Sequence, residues 1–212
     1  MNNYVITIAR GFGSGGKDVG TRLAEELGIP CYDRQLLTMA SDQYGIDEGL
    51  FVDVNEKLRG KHITNRLRGI PDPKVLEPHQ KDFVSDLNLY NIQAQLIREL
   101  AKTESCVIIG KCADHILRDL DNVISIYIEA PRAYCVASIM SKMFVSEDQA
   151  HQLIASTDKY RAQYYRYYTG GKKWTDPINY DLIINTGRVG RENAVKVIRD
   201  FIGIKFGDAY SV

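Results

Sequence analysis

The sequence predicts an α/β protein, a parallel sheet covered by helices, and three observations carry that expectation. Short apolar runs alternate along the chain with amphipathic helical patterns, a glycine-rich turn joins the first run to the first helix, and later runs are continuously apolar, as strands buried on both faces are. Tyr4 to Ala9 is the first strand, a β-branched run closed by glycines. Val19, Leu23 and Leu27 then recur at helical spacing, with Arg22, Glu25 and Glu26 on the other side, until Gly28 and Pro30 stop the helix. Ile29 to Tyr32 makes a brief second strand ending in Asp33. Cys106 to Ile109 and Val123 to Ile128 read as buried strands, and Tyr180 to Ile184 follows the turn signal Asp176-Pro177. In such an alternation ligand groups are expected at the carboxyl ends of the strands.

Two segments interrupt the alternation. Residues 34–104 are mostly helical and polar, and within residues 57–81 Lys57, Arg59, Lys61, Arg66, Arg68, Lys74 and Lys81 are set against only Asp72 and Glu77. That stretch is either a solvated flap or a means of gathering an anionic substrate. Residues 146–171 begin with Ser146-Glu147-Asp148, a helix start, and end at Gly170-Gly171, which makes the segment one long helix or two joined ones. The expected organisation is a single domain: a core of residues 1–33, 105–145 and 172–212, a helical insertion at 34–104 and a lid at 146–171.

Lysine plus arginine and aspartate plus glutamate each number 27 among 212 residues, so no net charge draws the chain to nucleic acid or an anionic membrane. Anion binding has to be local. Cys31, Cys106, Cys112 and Cys135 lie in or beside apolar runs and never as CxxC, which points to reduced buried thiols rather than zinc ligands or disulfides. MNNYVITIAR lacks the pattern of a secretory leader and no apolar segment is long enough to span a membrane, so a soluble, cytoplasmic protein is expected.

The stretch GFGSGGKD, residues 11–18, has the physical logic of a phosphate cradle. Gly11, Gly13, Gly15 and Gly16 permit tight turns and close backbone approach, inward amides and the following helix terminus favour an anion, and Lys17 adds a cation where nucleotide phosphates would lie. Ser14 is a phosphate donor or a turn residue. Asp18 stands where a Ser or Thr hydroxyl would normally ligate Mg²⁺. It either holds the ion's hydration shell through water or favours the dipole of the helix it opens.

A second cluster of cations, Lys159, Arg161 and Arg166, lies in TDKYRAQYYRYYTGGKKW. Lys159 and Arg166 are seven apart and share a helix face, whereas Arg161 joins Tyr165 and Tyr168 on another, so the cations project in two directions. The arrangement suits a lid that supplies positive charge to a transferring phosphoryl group. It equally suits a tyrosine-rich packing helix with arginines stacked on rings.

Taken together, ITIARGFGSGGKDVGTRLAEELGIPCYDR, IIGKCADHIL and TDKYRAQYYRYYTGGKKWTDPINYDLIINT resemble the cytidylate-kinase-like family of P-loop proteins, within the nucleoside monophosphate kinase fold. The resemblance implies a five-stranded parallel sheet flanked by helices, a helical acceptor-binding insertion, and a lid that closes over ATP with Mg²⁺. It implies a phosphate loop at Gly11 to Lys17 and lid cations at Lys159, Arg161 and Arg166. Asp33 and Arg34 fall at the start of the acceptor site, where Arg34 would meet a substrate phosphate and Asp33 a hydroxyl. The alternative for Asp33 is a helix cap, and for Arg34 a surface position. True cytidylate kinases carry arginine and aspartate after the glycine of the third strand, whereas this chain has Gly110-Lys111-Cys112, which keeps the charge and loses the bidentate fork. Thr186, Gly187 and Arg188 resemble the loop beside adenine, or are only a turn. The implied activity is ATP-dependent phosphoryl transfer to a CMP- or dCMP-like nucleotide or another small phosphorylated acceptor. Two rivals stand beside it: a nucleotide-binding sensor or pseudokinase without turnover, and a nucleic-acid-associated protein using the basic stretch at 57–81.

Overall fold

The computed structural model describes residues 3–51 and 74–207. Lys57, Arg59, Lys61, Arg66, Arg68 and Asp72 of the basic stretch lie outside the described residues, while Lys74 and Lys81 are exposed. Five parallel strands form one sheet: β1 (Val5–Arg10), β2 (Cys31–Tyr32), β3 (Cys106–Ile109), β4 (Val123–Glu129) and β5 (Leu182–Asn185), in the order β2-β3-β1-β4-β5. The five runs read from the sequence are these strands, shifted at their ends by one or two residues. β1 is central, with Ile6 beside Val107 on one neighbour and Ile124 on the other.

A central strand is covered on both faces, which accounts for its uninterrupted apolar character. On one face Ile6, Ile8, Val107, Ile109 and Ile126 meet Val19 and Leu23 of α1 (Gly16–Leu27) and Val195 and Ile198 of the C-terminal helix, Arg191–Phe206. On the other, Val5, Ala9 and Ile108 meet α2 (Gln35–Tyr44) and α3 (Asp86–Thr103). Each fully buried isoleucine contributes about 1.5–3 kcal/mol relative to an exposed one. α3 therefore packs directly on the sheet, through Leu89, Ile92 and Ile97 among others.

The remaining helices follow the sheet in chain order: α4 (Ala113–Ile116), α5 (Arg132–Met143), α6 (Glu147–Tyr168), α7 (Thr186–Val189) and α8 (Arg191–Phe206). Ser146 caps α6 in a reciprocal capping box with Gln149, and Gly28 closes α1 in the left-handed conformation (φ 64°). α6 is one continuous helix. Its inner face carries Tyr164 and Tyr168, and Tyr168 stacks on Tyr90 of α3 with ring centroids 3.9 Å apart. No helix among the described residues is long and apolar enough to cross a membrane.

The chain leaves β1 toward β2 and returns through β3 between them before crossing to β4. The carboxyl ends of β1 and β3 thus meet where successive connections diverge, the place where open parallel sheets bind ligands.

Candidate active site

The residues following β1 form a cradle that side chains would fill. Gly13 and Gly15 adopt φ of 88° and 86°. A Cβ at Gly13 would press on the Cys135 carbonyl at 2.7 Å, one at Gly16 on the Arg10 side chain at 2.5 Å, and one at Gly15 would overlap the Arg191 guanidinium. Among the described residues, the N–H groups of Gly13, Gly15, Gly16, Lys17 and Asp18 donate no hydrogen bond, the last three being the orphan donors of a helix start. Such a ring of free amides at a helix N-terminus fits a phosphate. Ser14 is wholly buried and its hydroxyl donates to the Gly11 carbonyl at 2.9 Å, so it closes the turn rather than facing a ligand.

Asp18 is engaged elsewhere. Its Oδ2 accepts from Arg191 and, at 2.6 Å, from Lys142. Arg191 also donates to Ser138 at 2.9 Å and to the Tyr134 hydroxyl at 3.1 Å. The carboxylate therefore fastens α1 to α5 and α8, and it opens α1 at the positive end of the dipole. Among the described residues no cluster of three His, Cys, Asp or Glu could hold a metal ion. The free amides of the loop, with Lys17 beside them, are a donor set that fits a phosphate group.

Lys17 and Asp33 connect the loop to the next strand. Lys17 Nζ lies 2.9 Å from Asp33 Oδ2, and Arg10 lies 3.8 Å from Asp33 Oδ1. α2 is capped by Arg34, without a side-chain hydrogen bond, so Asp33 is an ion-pair partner and not a helix cap. From this point a cavity of about 330 Å³ opens between β1, β3 and α6. Its basic lining is Arg10, Arg34, Lys111 and Arg161, and its aromatic wall is Tyr160, Tyr164, Tyr165 and Trp174. Gly110, Lys111 and Cys112 are successively left-handed (φ 76°, 59° and 55°), a costly backbone for the two non-glycine residues that turns the chain after β3 along the cavity. Burial, with Arg10 and Arg34 nearby, brings Lys111 down to about 8. Burial raises Asp114 to about 6 although Tyr165 donates to its Oδ2 at 2.7 Å.

α6 lies against the loop. Asp158 Oδ1 accepts from the Phe12 N–H at 2.9 Å, Arg161 donates to the Arg10 carbonyl at 2.9 Å, and the Arg161 guanidinium sits 5.5 Å from the centre of the Phe12 ring. The packing reading of this helix describes its inner face, where tyrosines pack inward and Arg161 stacks on a ring, and Arg161 also lines the cavity. Lys159 and Arg166 are on the exposed face. Thr186 is buried, with Oγ1 2.5 Å from the Ser14 carbonyl and 3.1 Å from that of Glu129, so it braces the glycine loop. Gly187 lies against Pro131, where a Cβ would come within 2.5 Å, and Arg188 is exposed.

Lys17, Asp33, Arg34, Lys111 and Arg161 are thus brought around one crevice, and Lys159, Arg166 and Arg188 are not. Sequence reasoning passed over Arg10, Asp114, Asp158 and Arg191. Arg10 had a visible signal, a charge closing an apolar strand directly before the glycines. The other three take their places from partners far along the chain, Tyr165 for Asp114, the Phe12 amide for Asp158, and Asp18, Tyr134 and Ser138 for Arg191, although Asp158 also pairs with Arg161 three residues on at 3.5 Å.

No match was found among curated proteins. Among solved structures, the fold is similar to that of an uncharacterized protein from Eubacterium ventriosum, with 28% identity, TM-score 0.69, and coverage of 94% of this chain and 98% of that one. Shikimate kinase from Bacteroides thetaiotaomicron is similar in fold at 13% identity and TM-score 0.52, covering 94% of this chain and 98% of that one. TT1252 from Thermus thermophilus is similar at 16% identity and TM-score 0.52, covering 95% and 99%. These likenesses place the sheet and its helices among P-loop kinase-like folds. The model of the cytidylate kinase-like family matches residues 5–188, and the chain belongs to that family.

Proposed function

We propose that the protein is a small-molecule kinase that transfers the γ-phosphoryl group of ATP to a nucleotide of the CMP or dCMP kind or to another small phosphorylated acceptor. The observation that carries this reading is the adjacency of two anion sites, a loop of free amides and a basic cavity, joined by the Lys17–Asp33 pair at 2.9 Å. ATP would supply the phosphoryl group, and Mg²⁺, when bound, would offset the negative charge on it. The loop amides and Lys17 hold the nucleotide phosphates, and Arg161 adds positive charge from α6. Arg34 and Lys111 hold the acceptor, and Asp33 accepts from an acceptor hydroxyl. Residues 34–104 act as the acceptor-binding insertion and 146–171 as the lid. Lys159 and Arg166 join Arg161 only through a turn of α6, and Thr186, Gly187 and Arg188 border the adenine. The setting for this reaction is the cytoplasm.

Lys17→Ala should lower kcat by roughly 10²–10³-fold or more while the circular dichroism spectrum is unchanged. A phosphoryl-transfer screen over all nucleoside monophosphates, with ADP release as readout, checks this; wild-type turnover in the variant would refute the mechanism. The engagement of Asp18 by Arg191 and Lys142 favours a second reading, a nucleotide-binding sensor without turnover. ATP binding indifferent to Mg²⁺, with no transfer to any acceptor, would select it.

A further inference from the structure

Arg10 is the last residue of β1 and shares the strand face of Ile6 and Ile8, yet it is charged. The structure makes room for it at two places. A Cβ at Gly16 would meet the Arg10 Cβ at 2.5 Å, and one at Gly110 would overlap its Nη1. Gly110 is left-handed (φ 76°), so a side chain is unwelcome there on both counts. The guanidinium is enclosed, with 19% of the side chain exposed, and it lines the basic cavity.

Its charge is poorly matched. Among the described residues the guanidinium makes one ion pair, to Asp33 at 3.8 Å, and that carboxylate is already taken by Lys17 at 2.9 Å. It donates no hydrogen bond to another described residue. Lys111, Arg34 and Arg161 line the same cavity, so four cations share it with the carboxylates of Asp33 and Asp114, the latter held by Tyr165. Burial and the charge of Arg161 lower Arg10 to about 10, as expected of a cation short of a counter-ion. A largely enclosed guanidinium with unused donors is a fork for a planar or tetrahedral oxyanion.

We propose that Arg10 is an acceptor-binding residue, which grips the anionic group of the acceptor together with Lys111 and so restricts the site to acceptors that carry a phosphate. The assignment of the cavity to the acceptor rests on the kinase reading; the anion site itself does not. The carbonyl of Arg10 is held by Arg161 at 2.9 Å, so the same residue also fixes the start of the phosphate loop against α6.

Trp174, the chain's one tryptophan, lines the cavity and reports its occupancy by emission. The full chain, with ADP present to fill the phosphate loop, is titrated with inorganic phosphate as wild type, Arg10→Gln and Arg10→Lys, with urea melts to verify that each is folded. The expected result is a saturable change in wild type, an affinity roughly 10–100-fold weaker in Arg10→Gln, and an intermediate value in Arg10→Lys. Equal affinity in wild type and Arg10→Gln, or no response in wild type, overturns the proposal. In the turnover screen Arg10→Gln should raise the acceptor KM by the same factor and leave the KM for ATP within about twofold. An unchanged acceptor KM overturns the role of Arg10 while the kinase reading stands. Phosphate binding lost in Arg10→Gln, with no turnover in wild type, removes the kinase reading and supports the anion site.

Discussion

Asp18 shows how far a single residue's role depends on partners distant in sequence. At the position following Lys17 it invites assignment to a metal ion, yet its carboxylate is bound by Lys142 and Arg191, 124 and 173 residues onward. The helix-dipole half of the sequence reading needs only the local position at the start of α1, which the structure has. The tether across three helices was invisible because ion pairs carry no signature of spacing. Asp18→Asn should therefore lower unfolding stability by about 1.5–3 kcal/mol, the range for hydrogen bonds to charged groups, and leave the Mg²⁺ dependence of nucleotide binding unchanged. Denaturant titration measures the first and nucleotide binding at graded Mg²⁺ the second; a shift confined to the Mg²⁺ dependence would return Asp18 to the metal.

At the scale of elements, both ends of α6 were legible, whereas its continuity as one helix rather than two joined ones was decided by the structure. Ser146 opens it because its hydroxyl accepts from the Gln149 N–H while the Gln149 side chain accepts from the Ser146 N–H, and Gly170-Gly171 cannot continue it. Ser146→Ala should cost about 1 kcal/mol in denaturant unfolding, and Ser146→Thr should restore most of it. An equal loss in both variants would mean that packing rather than the cap limits the helix end. The division of Lys159 and Arg166 from Arg161 also follows from the 100° step of a helix. Which of the two faces meets the crevice does not follow: Tyr168 on Tyr90, and Asp158 on the Phe12 amide, decide it. The short strands behave likewise, for β2 is only Cys31–Tyr32 and owes its place to the register of Cys31 with Val107.

At the scale of the whole molecule, the site exists because the sheet order sets the ends of β1 and β3 side by side. One consequence is a dependence of stability on pH. Asp114, buried beside the cavity, has a folded pKa raised from 3.8 to about 6, so the folded protein binds this proton more tightly than the unfolded chain. Its ionisation opposes folding. The penalty is absent below about pH 4 and complete above about pH 6, and amounts to on the order of 2–3 kcal/mol. Asp114→Asn removes it while leaving an acceptor for the Tyr165 hydroxyl. Its stability relative to wild type should therefore rise by that amount between pH 4 and pH 7; a constant difference across this range would show that Asp114 stays ionised throughout.

Taken alone, the sequence dictates the alternation of strands and helices, the glycine turns after β1, the caps of α1 and α6 and the two-directional spread of the α6 cations. Each of these is local, set by periodicity, by glycine's access to positive φ, or by side chains a few positions apart. Only the tertiary structure decided that Arg10 and Lys111 share a cavity, that Asp33 bridges to Lys17, and that Asp18 is held by α5 and α8. Charges from separate elements acquire their roles when the sheet and its helices bury them together, and burial makes the number and distance of their partners decisive.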